Sequence, residues 1–217
     1  MKFLLSIVVL CFPFNIIFAQ IDVHAEKLHS LVLENKYLNV LEILAKPGEA
    51  AEMHTHKHNY AYIALEGGKM LLQDKGEAER EVNLPDLYTG GKYNTHINPF
   101  SHRFVNLDDH DIHFLAVEHK ASYQINKDLK LNFHPDDILI DNQFFLVVKI
   151  KIQPLASVSK EVPYPGVIIC PDQKEVLSFK EDKHSKLPLW SYQEAGTKLM
   201  LSNKEKIEAV LYLFMTK

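Results

Sequence analysis

The sequence predicts an all-β protein, built as a barrel or sandwich and present in two copies, and three observations carry that expectation. Short runs alternate or concentrate apolar residues at strand period, as between Val148 and Ile152, where Lys149 and Lys151 interleave with apolar neighbours. Turn clusters recur at short spacing, at residues 46–48, 66–68, 89–91, 134–137, 163–166 and 194–196. The third observation is internal similarity: residues 33–47 lie over residues 140–154 without a gap, with Asn35 on Asn142, Val40 on Val147, Ile43 on Ile150 and Pro47 on Pro154. Many short strands with regular turns close into a sandwich or barrel. A repeat of about a hundred residues is too long for a solenoid, so the pattern reads as a duplicated domain.

At the start of the chain, Lys2 precedes an apolar run over residues 3–18 that ends at the small residue Ala19. This layout predicts a secretory signal peptide over residues 1–19, cleaved between Ala19 and Gln20, and hence a secreted or periplasmic protein. The run is short for a membrane span and is interrupted by Pro13 and Asn15, so no stable membrane anchor is expected after cleavage. Cys11 makes a poor lipoprotein anchor, because Val8, Val9 and Leu10 supply no small residue ahead of it.

Removing Lys2 with the signal leaves 23 basic side chains against 28 acidic ones, a net charge of −5 with histidines neutral. No basic block exists to grip nucleic acid or an anionic bilayer. Cys170 is then the one remaining cysteine, so no internal disulfide forms and the protein must be held by its core.

Continuing along the chain, residues 25–33 are read as a short helix, the one helical stretch expected. Strands are read in residues 60–65, just before Gly67 and Gly68, and again in residues 112–117. Residues 104–120 close the first half and align with the C-terminal end, Asn106 falling on Asn203. The polar stretch 121–130 marks the boundary, giving one barrel over residues 20–120 and a second over residues 121–217.

Histidines are frequent, and His24, His29, His119, His134 and His184 lie in polar surroundings that suggest a solvated surface role. His54 and His56 stand apart. Side chains two residues apart on a strand share a face, so the two imidazoles aim into one space and form a chelating pair for a transition metal. His102, at the start of a strand after a turn-rich loop, is the best third ligand. His58 shares the parity of the pair, but the turn expected there swings it outward. His96 precedes His102 in the loop, while His110 and His113 come later, His113 as a half-buried strand residue.

On these residues the chain resembles the cupins. Their first motif is Gly, five residues, His-x-His, three or four residues, Glu, six residues, Gly; here Gly48, His54, His56, Tyr60 and Gly67 match every spacing. The second motif ends in His, three residues, Asn, and here His102 is followed by Asn106. The resemblance implies a double-stranded β-helix, or jelly-roll barrel, with a divalent transition metal (iron, manganese, zinc or nickel) inside the first barrel on His54, His56 and His102.

Two departures matter. Tyr60 stands where most cupins place the ligand glutamate, and is read as a hydrogen-bond partner behind the histidines in preference to a phenolate ligand, because a phenol gives up its proton only near pH 10. Pro99 stands where a glycine is usual. Shifting the first motif by the repeat offset puts Glu161 and Pro163 over His54 and His56, and the later alignment puts Leu199 over His102. The second half is therefore expected to be a barrel without metal ligands, serving packing, another ligand or homodimerisation.

Two functions fit these expectations. Three histidines leave positions open on the metal, so an oxygenase or isomerase acting on a small molecule is one, with Tyr60, Tyr62 and His96 as catalytic candidates. A non-catalytic periplasmic protein that binds a small molecule or a metal is the other.

Overall fold

The computed structural model describes residues 20–93, 99–123, 133–172, 176–180 and 183–217. The expected signal peptide, His96 and most of the 121–130 boundary lie outside the described residues. Among the described residues, ten strands form the first half: β1 (Ile21–Asp22), β2 (His29–Glu34), β3 (Leu38–Ala45), β4 (Ala50–His56), β5 (Asn59–Glu66), β6 (Gly68–Asp74), β7 (Arg80–Leu84), β8 (Thr89–Lys92), β9 (Phe100–Asn106) and β10 (Ile112–His119). Nine form the second: β11 (Ile138–Asp141), β12 (Phe145–Ile152), β13 (Ser157–Glu161), β14 (Gly166–Ile169), β15 (Val176–Lys180), β16 (Lys183–Lys186), β17 (Trp190–Gln193), β18 (Lys198–Asn203) and β19 (Ala209–Thr216).

Each half is a pair of sheets. The first half pairs the order β1-β4-β9-β6-β7 with β2-β3-β10-β5-β8, and the second pairs β11-β12-β19-β14-β17 with β13-β18-β15-β16. All ladders are antiparallel except β1 on β4. No helix among the described residues is long and apolar enough to cross a membrane.

The helix expected over residues 25–33 is not formed. Residues Val23–Ala25 make a single 3-10 turn, capped by the Asp22 side chain, and His29–Glu34 is strand β2. Pairing of β2 with β3 gives the backbone of Leu31 and Leu33 ladder partners, and that tertiary pairing overrides a weak helical pattern.

Alternation along the central strands explains why two barrels hold together. On β3, Leu41, Ile43 and Ala45 face the first barrel's interior, whereas Leu38 and Val40 face outward. On β10, Ile112, Phe114 and Ala116 face in, whereas Leu115 and Val117 face out. The outward set packs against Phe145, Val147, Val167, Ile169 and Phe214 of the second half, making a third apolar layer between the barrels. Burying each such side chain contributes about 1.5–3 kcal/mol, so the second barrel supplies packing that the first barrel's outer sheet needs. Cys170 is buried in the apolar core of the second barrel.

The internal repeat is visible in hydrogen bonds as well as strands. Asn35 Oδ1 accepts from the amides of Tyr37 and Leu38 at 2.8 and 3.0 Å, and Asn142 Oδ1 accepts from Phe144 and Phe145 at 2.8 and 2.9 Å. Buried Asn106 donates to the carbonyls of Ala45 and His110, as Asn203 donates to those of Ile152 and Ile207.

Candidate metal centre

The first barrel's interior contains the predicted histidines because of one irregularity in β4. Ala51 faces inward opposite Phe104, and regular alternation would next turn Met53 and Thr55 inward. A β-bulge between Ala51 and His54 inserts one residue, so that His54 lies opposite His102 and both point inside. His56, two residues on, shares that face.

The three rings converge through their Nε2 atoms. His56 Nε2 lies 3.2 Å from His54 Nε2 and 3.2 Å from His102 Nε2. His54 Nδ1 donates to the carbonyl of Glu52 at 2.8 Å, which fixes the proton on Nδ1 and leaves Nε2 as a bare lone pair. Burial, reinforced by His29 and His56, lowers the pKa of His54 to about 3. Burial likewise lowers those of His56 and His102. Neutral imidazoles with inward lone pairs are the protonation state that metal binding needs.

Residues outside the two motifs complete the site. Glu118, on the inward face of β10, is 0% exposed. It accepts from Asn39 Nδ2 at 2.9 Å and bonds His24 Nε2 at 2.8 Å, while its other oxygen lies 3.7 Å from His56 Nδ1. Burial opposes charge on Glu118, but His56, Asn39 and His24 outweigh it and hold the carboxyl at about 2. That oxygen and His56 Nδ1 are both buried without a hydrogen-bond partner.

The expectation of a surface role for His29 is corrected: it is 7% exposed, on β2 opposite the inward-facing Ile43, with its ring 4.4 Å from that of His54. The error follows from reading residues 25–33 as a helix. Glu26, 1% exposed, holds His29 Nδ1 at 2.6 Å. Burial opposes charge on Glu26 too, yet His29 and the amides of Leu28 and Glu52 keep its carboxyl below the ordinary range. Parity was the signal for Glu118, since Ile112, Phe114 and Ala116 already mark the inward face on which it falls.

The tyrosines are walls of the site. Tyr60 is buried and stacks on His56, with ring centroids 4.3 Å apart and planes 28° from parallel. Burial pushes its phenol well above the usual range and raises Tyr62 to about 12, so both keep their protons. Beside the histidines lies a cavity of about 160 Å³ that His29, His56, His102, Tyr60 and Tyr62 line with apolar residues including Met70, Leu72, Phe104 and Phe114. Asp74 and Lys92 line it too, 3.6 Å apart.

The remaining histidines do other work. His24 bonds Glu118 from the surface, His113 bonds Glu42 at 2.8 Å on the outer face, and His134 caps a 3-10 turn by accepting from the Asp136 amide. His119, also expected to be solvated, donates to the Lys217 carbonyl and packs on Phe144 and Phe145 between the barrels. His58 lies in the turn after β4, and His110 bonds the Gly67 carbonyl. The side chain of His184 is outside the described residues.

In the second barrel the ladder has no such bulge, and Lys160, not Glu161, stands opposite Leu199 as His54 stands opposite His102. The gapless sequence offset is therefore corrected by one residue. The interior there, among the described residues, is an apolar cluster that includes Leu199, Leu201 and Leu211.

Two jelly-roll barrels in one chain, one of them holding a buried cluster of histidines, define the class of protein. Comparison with solved structures names its fold. AerE from Microcystis aeruginosa superposes with a TM-score of 0.62 at 15% identity, over 88% of this chain and 98% of that one. A cupin 2 conserved barrel domain protein from Leptotrichia buccalis gives 0.55 at 10% identity, over 87% and 88%. Salicylate 1,2-dioxygenase from Pseudaminobacter salicylatoxidans gives 0.58 at 10% identity, over 83% and 71%. The chain has the cupin fold. No protein-family model and no curated protein matches it by sequence.

Proposed function

We propose that this is an exported enzyme that holds one divalent transition-metal ion on His54, His56 and His102 and acts on a small molecule in the adjoining cavity, as an oxygenase or an isomerase. The observation that carries the reading is the approach of His56 Nε2 to within 3.2 Å of both His54 Nε2 and His102 Nε2, while the carbonyl of Glu52 fixes the tautomer of His54. When His56 and His102 carry their protons on Nδ1 as His54 does, the three Nε2 lone pairs face one another in a buried site and repel, and a cation removes the repulsion. The ionised carboxylates of Glu26 and Glu118, buried behind the imidazoles, supply the balancing charge.

The metal would act as a Lewis acid or, if iron, support oxygen chemistry. The chain's own part is positional. The Glu52 carbonyl orients the His54 imidazole, Glu118 sets its negative charge 3.7 Å from His56 Nδ1, and the apolar cavity wall excludes water. Tyr60 and Tyr62, held as neutral phenols, can donate hydrogen bonds and are poor bases. Salicylate 1,2-dioxygenase, a structural neighbour that has been crystallised with gentisate, supports a small-molecule ligand of cavity size.

Metal analysis tests the reading. The wild type should carry about one equivalent after reconstitution, and the double variant His54→Ala/His56→Ala less than about a tenth, the behaviour expected when ligands are removed. An unchanged metal content in the variant would overturn the assignment. Oxygen uptake on iron loading, screened with small aromatic and aliphatic acids, separates oxygenase from isomerase. Export is tested on the extracellular or periplasmic fraction, where sequencing should begin at Gln20.

A further inference from the structure

We propose that His29 is a fourth imidazole of this centre, held for the purpose by Glu26, in place of the carboxylate that the first motif lacks at Tyr60. The inference rests on the reading that His54, His56 and His102 bind metal, and it adds a ligand from a strand outside both motifs. One donor atom from each of His29, His54 and His56 lies within 4.8 Å of the others. That triangle shares an edge with the one formed by His54, His56 and His102. His29 and His102 thus each lie against the His54–His56 pair on the inner face of the barrel.

The hydrogen bonds around His29 argue for ligation over simple burial. Glu26 Oε2 takes Nδ1 at 2.6 Å, and since a carboxylate only accepts, Nδ1 carries a proton; in the neutral imidazole that a metal requires, Nε2 is then the lone pair. A carboxylate behind the far nitrogen is the arrangement that orients a metal-bound histidine and raises its basicity. Glu26 is itself fixed: it accepts from the Leu28 amide at 2.9 Å and, through its other oxygen, from the Glu52 amide at 3.3 Å. The carbonyl of the same Glu52 holds His54 Nδ1. One short network at the β4 bulge therefore orients His29 and His54 together, tying a strand outside the motifs to the motif pair.

The consequence is an all-imidazole centre with no charged side chain on the ion. Tyr60 stays protonated, and the two buried carboxylates act from one imidazole away. Such a set favours zinc, iron, nickel or copper over manganese or magnesium, whose preference is for oxygen ligands.

The experiment loads full-length purified protein with cobalt(II) and counts imidazoles by X-ray absorption. Four are expected in the wild type; one bound ion with three imidazoles overturns the inference and leaves the three-histidine reading intact. No bound ion at all overturns both. His29→Gln should weaken cobalt affinity about 10- to 100-fold and Glu26→Gln about 10-fold, as loss of ligands and their orienting partners does. Unchanged affinity in a folded His29→Gln protein, checked by circular dichroism, overturns the proposal. Should that variant fail to fold, the wild-type imidazole count decides alone.

Discussion

The two barrels share strand order, turns and buried asparagines, yet one encloses a polar site and the other an apolar core. The difference comes down to a few positions. At one cross-strand pair, Asn39 faces Glu118 in the first barrel and Leu146 faces Met215 in the second, in the same place on the equivalent strands. On the opposing sheet, a bulge brings His54 opposite His102, whereas the regular ladder of the second barrel sets Lys160 opposite Leu199. The jelly-roll tolerates either interior because its strand pairing is backbone hydrogen bonding, which the side chains inside do not supply. What the polar interior needs is partners, and Glu26, Asn39, Glu118 and the Glu52 carbonyl provide most of them, while His56 Nδ1 and one Glu118 oxygen face each other at 3.7 Å unbonded.

The comparison can be broken at its apolar end first. Leu211→Ala empties part of the second barrel's core and should cost about 2–5 kcal/mol in chemical denaturation, while metal content per folded molecule stays at the wild-type value. A matching loss of metal would show that the second barrel shapes the site. Next, Asn39→Leu with Glu118→Met gives the first barrel its twin's pair. We expect metal affinity to fall about 10- to 100-fold, measured by competition with a chelator. Stability of the metal-free protein should stay level or rise, since the swap removes a buried charge.

Acid sensitivity should belong to the first barrel. Unfolded histidine takes a proton near pH 6.5, but folded His54 does so only near pH 3. Between those values the unfolded chain binds more protons, so stability of the metal-free protein falls as pH drops from about 6.5 towards 3. The slope is about 1.4 kcal/mol per pH unit for each proton. His54→Gln should flatten it by one proton's worth in urea melts at pH 4, 5 and 6, and an unchanged slope would mean that His54 is not a source of the acid sensitivity.

The smallest effect lies in a turn. Gly48 adopts a left-handed backbone with φ of 76°, and its repeat equivalent Leu155 does the same at 56° with 71% of its surface exposed. A side chain pays about 1–2 kcal/mol there. Leu155→Gly should raise stability by about 1 kcal/mol, after allowing for the freer unfolded chain, and Gly48→Ala should lower it by a similar amount. Thermal unfolding of the two variants checks both signs.

The sequence by itself determined the all-β class, the duplication and the meeting of His54 with His56, because strand period, turn chemistry and repeat spacing are written in neighbouring residues. His102 was legible through its spacing to Asn106. The inward turn of that pair, however, depends on a one-residue bulge that only the ladder with β9 reveals. His29 and Glu26 looked helical and solvated until β2 paired with β3, and Glu118 joins the histidines only because β10 lies in the sheet that faces β4. Tertiary structure decided these, since which strands pair and which sheet faces which are relations between residues far apart in the chain, 94 positions in the bond from His24 to Glu118. The layer of apolar side chains between the barrels was decided the same way: alternation marks two faces on each strand, and only packing assigns one to the site and the other to the partner barrel.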